Sequence, residues 1–452
     1  MNVPYIPHTP DDVARMLRAI GVADVEALLG GVPPALRRRG PLELPEGLDE
    51  VALAGRMEAL SAGSRGAALS FLGAGAYDHV VHPVVDQLLA RSEFLTPYTP
   101  YQPEASQGTL QAIFEFQTMI AELFGLDVAN ASLYDGASAA AEAALMARRL
   151  AKRERILLSA ALPPQVRRTV GTYTRGAAPE LVEEIPYDPK TGAVDLAKLA
   201  ARLGPDVGAV VLGYPNYFGV PEDLDAAAHL CCDAGAYLVS HTPDPIALGI
   251  LRSPGAANVA VAVGEGQPLG LPLSFGGPGV GLMAARTEFV RQMPGRLVGE
   301  TVDTRGQRAF VLTLSTREQH IRREKATSNV CTNQGLCALG VTIHLSLLGP
   351  EGFRRTAETC HARARRLAAG LAGIPGVRLA FDAPYGHEFA IRHERGRLAG
   401  AAAALERDGI LLGVPLVPDF PELGDARLLA VTERIRPEDI DRAVEALRRV
   451  LA

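Results

Sequence analysis

Short apolar runs alternate with helical stretches between residues 155 and 285. The runs lie at residues 155–158, 207–212, 236–240, 258–263 and 280–284. Strands that are apolar on both faces and separated by helices are typical of a parallel or mostly parallel sheet covered on both sides. The pattern therefore predicts an α/β fold for a large domain, which we place at residues 61–330.

Two helices are predicted before the first of the longer strands. Apolar side chains over residues 108–124 follow helical spacing on nearly every face, which indicates a buried helix. An alanine-rich run up to residue 150 comes next. Because Asp135 or Ser138 can cap its first turn, we expect this second helix to begin at the small-residue turn between them.

The two ends of the chain have a different pattern. Near the start, Thr9 and Pro10 precede two acidic residues, which is the order of an N-cap and a first helical turn. Residues 1–60 are therefore predicted to form an N-terminal helical arm. After residue 335, two long helical stretches precede short strands and a closing helix that Pro437 opens. The predicted strands lie at residues 377–381, 387–391 and 427–431. We assign residues 331–452 to a small C-terminal α+β domain.

Composition excludes several classes of function. The chain has 452 residues and a net charge of -6, with acidic and basic residues mixed along it, so it has no basic footprint for nucleic acid and no polybasic membrane segment. No apolar run reaches the roughly 18 residues of a membrane span. Five cysteines without a CxxC pair indicate reduced thiols and no zinc site of the cysteine type. We expect a cytoplasmic protein whose partners are small molecules or other proteins.

Residues 98–108 form a candidate binding segment. Two prolines, Pro100 and Pro103, restrict the backbone between Tyr98 and the buried helix, so Tyr98, Tyr101 and Glu104 would be held on a stiff, extended stretch that loses little entropy on binding. The alternative is a proline-rich loop that bridges domains.

Three further segments carry polar or glycine-rich sequence, and each has a structural alternative. His79 and His82 with Asp78 could hold a metal ion, although histidine pairs at this spacing are more often structural. The glycines of residues 264–279 match neither phosphate-loop motif. Residues 322–334 concentrate charged, hydroxyl and amide groups at the predicted domain boundary, where they suit either a hinge or a cleft.

Five strings occur in an order that resembles one enzyme family. They are FLGAGAYDH at 71–79, YTPYQPE at 98–104, LYDGA at 133–137, GEGQPLG at 264–270 and ATSNVCTNQ at 326–334. Together they resemble the P protein of the glycine cleavage system, specifically its N-terminal half or separate first subunit, over about residues 5–450. The resemblance implies an aminotransferase-like fold, fold type I of the pyridoxal phosphate (PLP)-dependent transferases.

The family's reaction needs a lysine to hold PLP and an acid beside the pyridine nitrogen of the cofactor. Only four lysines occur among 45 basic residues. By resemblance, Gln267 occupies the lysine position, and Ser240 replaces the acid, with Asp244 as a rival. The resemblance therefore implies a chain that lacks the PLP lysine and works with a second, lysine-bearing subunit.

The resemblance also implies a reaction, partners and site residues. With subunit 2, the chain would decarboxylate glycine and pass the aminomethyl group to the lipoyl arm of the H protein, as a glycine dehydrogenase (aminomethyl-transferring). The first subunit would contribute catalytic groups from Tyr98, Tyr101 and Glu104 across the interface. The residues expected to contribute to the partner's PLP site are Gln107, Ser328 and Asn329.

Two other functions stay open at this point. The chain could be an independent PLP enzyme that uses Lys325, or a non-catalytic copy that only stabilises its partner.

Overall fold

The computed structural model describes residues 7–38, 40, 42–63, 66, 69–176, 179–328, 330 and 332–452. The chain divides into two compact units, residues 1–65 and 66–452. The first contains helices Pro10–Ile20 (α1) and Glu50–Gly63 (α2), with 3-10 turns at Glu26–Leu29 and Pro34–Leu36. Thr9 and Asp12 form a capping box at α1, which confirms the predicted helix start.

The second unit contains the remaining helices and all the strands of the described residues. The helices are Pro83–Leu89 (α3), Ser92–Leu95 (α4), Gln107–Phe124 (α5), Gly136–Ala151 (α6), Pro164–Thr174 (α7), Leu196–Arg202 (α8), Leu224–Ala234 (α9), Gln319–Arg322 (α10), Gly335–Ala372 (α11), Leu398–Arg407 (α12) and Pro437–Leu451 (α13). The strands are Leu69–Ser70 (β1), Val128–Ala129 (β2), Arg155–Ser159 (β3), Val182–Ile185 (β4), Val207–Gly213 (β5), Tyr237–Thr242 (β6), Val261–Glu265 (β7), Gly281–Ala285 (β8), Leu297–Val302 (β9), Arg308–Thr313 (β10), Val377–Leu379 (β11), Glu388–His393 (β12), Ile410–Leu411 (β13), Val414–Pro415 (β14) and Ala426–Ala430 (β15).

A seven-stranded, mainly parallel sheet forms the centre of the large domain. Its order is β2-β8-β7-β6-β5-β3-β4. Strand β8 runs antiparallel to both of its neighbours, β2 and β7, and the other neighbouring pairs are parallel. The helix α5 packs on one face and α6 on the other, each over a core of fully buried side chains. The α/β fold and the five apolar strands are therefore confirmed. Because the carboxyl ends of β5, β6 and β7 meet at one edge, the polar residues that follow them lie together.

Strands β2, β4 and the hairpin β9–β10 were not predicted from the pattern. The first has two residues, and β4 is an edge strand whose sequence, VEEI, contains two glutamates. The hairpin pairs Leu297 with Thr313 and packs on α5. Its strands lack a continuous apolar run because one face stays exposed, so their sequence resembles a loop.

A four-stranded antiparallel sheet, in the order β11-β12-β15-β14, forms the C-terminal part. Its core also includes side chains of α11, α12 and α13. The helix α11 is long and apolar enough to span a membrane by length and composition alone, yet it is broken at Gly349, ahead of Pro350, and packs on α5 and α13. The break confirms the two predicted helical stretches. The domain boundaries at residues 60 and 330 stay predictions.

An aromatic cluster joins the two sheets of the second unit. The ring of Phe218, which follows β5, lies 4.7 Å from the Phe381 ring, 4.9 Å from the Phe420 ring and 5.0 Å from the Tyr187 ring, measured between centroids. Edge-to-face and tilted aromatic contacts add to the free energy of burying their surface. Phe218 therefore fixes the small sheet against the large one.

We expect Phe218→Ala to lower the free energy of unfolding by about 3–5 kcal/mol, because it empties the centre of this cluster. Chemical denaturation of the purified chain measures the change. Phe275→Ala is the matched control, since Phe275 is fully exposed and its removal should change stability by less than about 0.5 kcal/mol. Equal losses in the two variants would contradict the assignment of Phe218 to the joint between the sheets.

Candidate functional site

The structure brings two of the predicted segments together around one cavity. Residues 97–100 and residues 332–336 line a cavity of about 280 Å³, together with side chains from the start of α5. The Tyr98 hydroxyl lies 3.0 Å from the Thr332 hydroxyl, so the two segments are joined by a hydrogen bond. Tyr98 itself is 74% exposed. The cavity is partly apolar and carries polar groups at its rim, as small-molecule sites do.

The Arg296 side chain contacts one residue of each predicted segment, Tyr101 and Asn333. The side chain is buried, and its guanidinium carbon lies 5.5 Å from the centre of the Tyr101 ring. A cation over an aromatic face is attractive, so this contact holds the Tyr101 ring. Arg296 Nη1 also donates to Asn333 Oδ1 at 3.5 Å, and Glu318 lies 3.9 Å from Arg296 Nε. The position of Tyr101 therefore depends on β9, which Arg296 precedes.

Gln107 and Glu104 have different environments. The Gln107 amide donates to the carbonyl oxygens of Pro103 and Phe310 at 2.7 and 2.8 Å and accepts from the Phe310 N–H at 2.8 Å. It thereby fastens β10 to the start of α5, and its polar atoms are used by backbone. Glu104 is exposed, in a 3-10 turn, and has no hydrogen bond or ion pair with any described residue.

Ser328 contacts α6 rather than the cavity. Its hydroxyl donates to Glu142 Oε1 at 2.8 Å and accepts from the Val330 N–H. Burial raises the pKa of Glu142, and the Ser328 hydrogen bond opposes this shift by stabilising the carboxylate. Asn329, also predicted as a site residue, lies outside the described residues.

Gln267 lies just after β7 with its amide fully engaged. Its Oε1 accepts from the Tyr77 N–H at 3.1 Å, and its Nε2 donates to the carbonyl oxygens of Tyr77 and Leu271 at 3.1 and 2.7 Å. Ser240, on the neighbouring strand β6, is buried, and its hydroxyl has no hydrogen-bond partner among the described residues. Of the two residues named from the resemblance, Gln267 therefore follows β7 at the carboxyl edge of the sheet, and Ser240 lies within the adjacent strand β6.

A buried cluster of ionisable side chains lies beside Gln267. His79 Nε2 is 2.8 Å from Asp244 Oδ2, and His79 Nδ1 is 2.6 Å from Glu433 Oε2. His387 Nε2 lies 2.9 Å from the same Asp244 oxygen. Burial alone would lower the pKa of His79, but the Asp244 charge and the hydrogen bonds raise it well above its usual value. The pKa of Asp244 is lowered by both histidines, against the effect of its burial.

The sequence had suggested a different set of partners for His79. Asp78 is exposed and pairs with Arg434 at 3.2 Å, while the His82 ring packs 5.7 Å from the His344 ring. The described residues whose ligand atoms converge with His79 are instead Asp244 with His387, and Cys360 with Glu433. The spacing of residues along the sequence could not predict this set, because its five members come from separate parts of the chain.

Tyr77 and Glu388 extend the cluster. The buried Tyr77 hydroxyl donates to Glu388 Oε2 at 2.7 Å, and the Ala74 N–H donates to Oε1 at 2.7 Å. Burial raises the pKa of Glu388 to about 7, although both hydrogen bonds and the nearby His387 oppose the shift. Glu388 therefore titrates near neutral pH in the folded chain.

All four lysines lie away from this edge of the sheet and are exposed. Lys190 is 3.9 Å from Asp382 and Lys198 is 3.0 Å from Asp195, both on the surface. Lys152 caps the C-terminus of α6, and Lys325 ends a 3-10 turn.

Comparison with known sequences gives one consistent result. The profile of the family described as "Glycine cleavage system P-protein" matches residues 3–447. A "Probable glycine dehydrogenase (decarboxylating) subunit 1" from Sorangium cellulosum is 48% identical over 447 residues, covering 98% of each chain. A relative of the same description from Anaeromyxobacter dehalogenans is 49% identical, covering 98% of this chain and 99% of its own.

Solved structures agree with the sequence comparison. A glycine decarboxylase (P-protein) of the glycine cleavage system, in inhibitor-bound form, superposes with a TM-score of 0.88 at 43% identity, covering 100% of both chains. The glutamate decarboxylase of Lactobacillus brevis superposes with a TM-score of 0.70 at 15% identity, covering 94% of this chain and 97% of its own, which is a likeness of fold alone. The prediction of fold type I of the PLP-dependent enzymes is confirmed.

We expect Glu388→Gln to flatten the pH dependence of stability between pH 5 and pH 8. The folded-state pKa of about 7 lies above the usual glutamate pKa of 4.5, so the folded state binds more protons than the unfolded state in this window. The stabilisation is complete below about pH 4.5 and is lost as the pH rises through 7. Glutamine mimics the neutral acid at every pH. The variant should therefore not show the decrease of about 2 kcal/mol in the free energy of unfolding that we expect for the wild-type chain as the pH rises.

Thermal unfolding of the wild-type chain and the variant at pH 5, 6, 7 and 8 tests this expectation at constant ionic strength. Glu358→Gln, on the exposed side of α11, is the control and should follow the wild-type curve. Parallel curves for wild type and Glu388→Gln would show that Glu388 does not titrate in this range.

Proposed function

Because the chain belongs to the glycine cleavage system P-protein family, of which it is a subunit 1, we propose that it completes the active site of a second, PLP-bearing subunit. Together the two subunits decarboxylate glycine and transfer the aminomethyl group to the lipoyl arm of the H protein. Glycine, subunit 2 and the lipoylated H protein are the proposed partners. The cytoplasmic location stays a prediction.

The residues at the carboxyl edge of the sheet do not fit a covalently held PLP. Gln267 cannot form a Schiff base, and its amide is bonded on both sides to backbone. Ser240 offers a hydroxyl and no charge to a ring nitrogen. Every lysine of the chain is exposed elsewhere. In this proposal the partner subunit holds the cofactor, which supplies the electron sink for decarboxylation.

The observation that carries the proposal is the meeting of residues 97–100 and 332–336 at one cavity, next to which Arg296 contacts both the Tyr101 ring and Asn333. A phenol hydroxyl can donate or accept a hydrogen bond, and the contact with Arg296 orients the Tyr101 ring. Both tyrosines are largely exposed in this chain, so their hydroxyl groups are available to a partner. Glu104, three residues after Tyr101, is exposed and has no hydrogen bond or ion pair with a described residue, so its carboxyl group is also available to a partner. We assign these three residues to the shared active site.

We propose that Gln107 and Ser328 contribute to the partner's cofactor site indirectly. Gln107 fastens β10 to the segment that carries Tyr101, and Ser328 fastens the following segment to α6 through Glu142. Both are positioning residues in this proposal. Asn329 keeps the role that the resemblance implies.

An independent PLP enzyme is the second candidate, since Lys325 could in principle hold the cofactor. Lys325 lies exposed in a 3-10 turn and does not line the cavity beside Tyr98 and Thr332. A solvated lysine keeps its proton at neutral pH and is a weak nucleophile. This observation favours the cofactor-free subunit.

We expect the purified chain mixed with PLP to develop no visible absorbance band that borohydride removes, because it lacks a suitably placed lysine. Mass spectrometry after borohydride treatment provides the measurement, and the complex with subunit 2 provides the positive control. Stoichiometric labelling of Lys325 would contradict the proposal and favour the independent enzyme.

We expect Tyr101→Phe and Glu104→Ala each to lower glycine–bicarbonate exchange in the reconstituted complex by about tenfold or more, because each removes a group that meets the substrate site. The matched controls are Tyr385→Phe and Glu358→Ala, which lie in the small domain and on α11. Unchanged exchange in both test variants, with the complex intact by gel filtration, would leave the chain a stabilising subunit only.

A further inference from the structure

The N-terminus of α6 lies at the carboxyl edge of the large sheet, next to the end of β7. The first N–H groups of a helix have no partners within the helix, and the helix dipole places partial positive charge there. Ligands of open α/β sheets bind at this edge, and a helix N-terminus there is suited to a phosphate group. The group that neutralises this partial positive charge at the start of α6 therefore decides whether a phosphate can bind there.

In this chain the acceptor is the carboxylate of Glu265, the last residue of β7. The Gly136 N–H, at the start of α6, donates to Glu265 Oε2 at 2.8 Å. The N–H groups of Gln267 and Val280 both donate to Oε1 at 2.9 Å. One carboxylate thus accepts three backbone hydrogen bonds, which is the contact pattern expected of a bound anion.

The space around the carboxylate is kept free by glycines. A Cβ atom added at Gly136 would lie 2.9 Å from the Glu265 Cβ, and one added at Gly279 would lie 3.0 Å from Oε2. A side chain at Gly279 would therefore press on the carboxylate itself, and one at Gly136 on the backbone and Cβ of Glu265. The two glycines allow the Glu265 carboxylate to lie against these N–H groups.

Glu265 has no ion pair with a basic side chain among the described residues, so backbone groups and the helix supply its stabilisation. Burial raises its pKa, and the hydrogen bonds from Val280, Gly136 and Gln267 oppose that shift. Asp135 uses another N–H of the same turn, since the Ser138 N–H donates to its Oδ1 at 2.7 Å. Two carboxylates of the chain thus occupy the start of α6.

We infer that Glu265 is an internal substitute for a phosphate group at the N-terminus of α6, and that it closes this chain's own anion site. The inference rests on the proposed function, because it explains how a chain of this fold remains free of a phosphate-bearing cofactor. Glu265 also holds both ends of residues 266–280, whose tip carries the exposed Phe275.

Chemical rescue by an anion separates this role from ordinary packing. The full chain and its Glu265→Ala variant are melted in inorganic phosphate and in chloride at equal ionic strength. The variant should lose several degrees of thermal stability in chloride and regain a large part of the loss in phosphate, because the emptied cradle can bind the free anion. Phosphate also stabilises folded proteins in general because it is excluded from their surface, so the wild-type chain should show only that general gain and the variant a clearly larger one.

Glu222→Ala is the matched control. Glu222 is buried and its carboxylate accepts from the Val194 N–H at 2.8 Å and the Asn216 amide at 2.9 Å, away from α6. Its removal should lower the melting temperature equally in phosphate and in chloride. Equal melting of Glu265→Ala in the two salts, or equal stabilisation of the wild-type chain by phosphate, would overturn the inference.

If Glu265→Ala does not fold in chloride, its refolding yield in phosphate gives the same comparison, and Glu265→Gln provides a second one. The amide has the size of the carboxylate but no charge, so we expect a lower melting temperature and no recovery in phosphate. A Glu265→Gln variant as stable as wild type would show that the helix does not need an anion there, and would overturn the inference. None of these measurements depends on subunit 2. The inference about Glu265 can therefore be overturned while the exchange assay supports the proposed function, and the exchange assay can contradict the proposed function while the inference holds.

Discussion

The buried carboxylate of Asp244 is the constraint on which the centre of the molecule depends. It follows β6 and meets ring nitrogens of His79 at 2.8 Å and His387 at 2.9 Å. Burying a charge without a partner is costly, so the segment that carries His79 and the start of the small sheet are both held at the end of the large sheet. Glu433 adds a third attachment through the other nitrogen of His79. The large sheet, the small sheet and residues 71–79 therefore share one ionic centre.

This centre fixes the surroundings of Gln267. Tyr77 donates its hydroxyl to Glu388 and exchanges backbone hydrogen bonds with the Gln267 amide. A glutamine here joins two segments of backbone, which a lysine poised to react with a carbonyl group would not do. Gln267 and Glu265 follow one strand, and both point their polar atoms at the chain's own N–H and C=O groups. The edge of the sheet where this fold binds ligands is thus used for internal hydrogen bonds.

Tyr98 and Tyr101 are the exposed tyrosines of the segment that precedes α5. Tyr98 lines a cavity, and the buried Arg296 and the half-buried Gln107 hold the segment in place. A shared site requires exposed polar groups on a rigidly held segment, because the second chain then meets groups whose position is already set. A subunit without its own cofactor can act in this way.

The sequence by itself determined the fold class, the five central strands, the helix starts at Thr9 and Asp135 and the family, because apolar periodicity, caps and ordered strings are local properties. It also determined that a glutamine stands at residue 267. Only the tertiary structure decided the partners of His79, since Asp244, His387 and Glu433 are more than 160 residues away along the chain. It likewise decided that Glu265, within a glycine-rich stretch with no phosphate motif, meets the start of α6. Contacts between strand ends depend on strand order, and no local pattern of residues carries strand order.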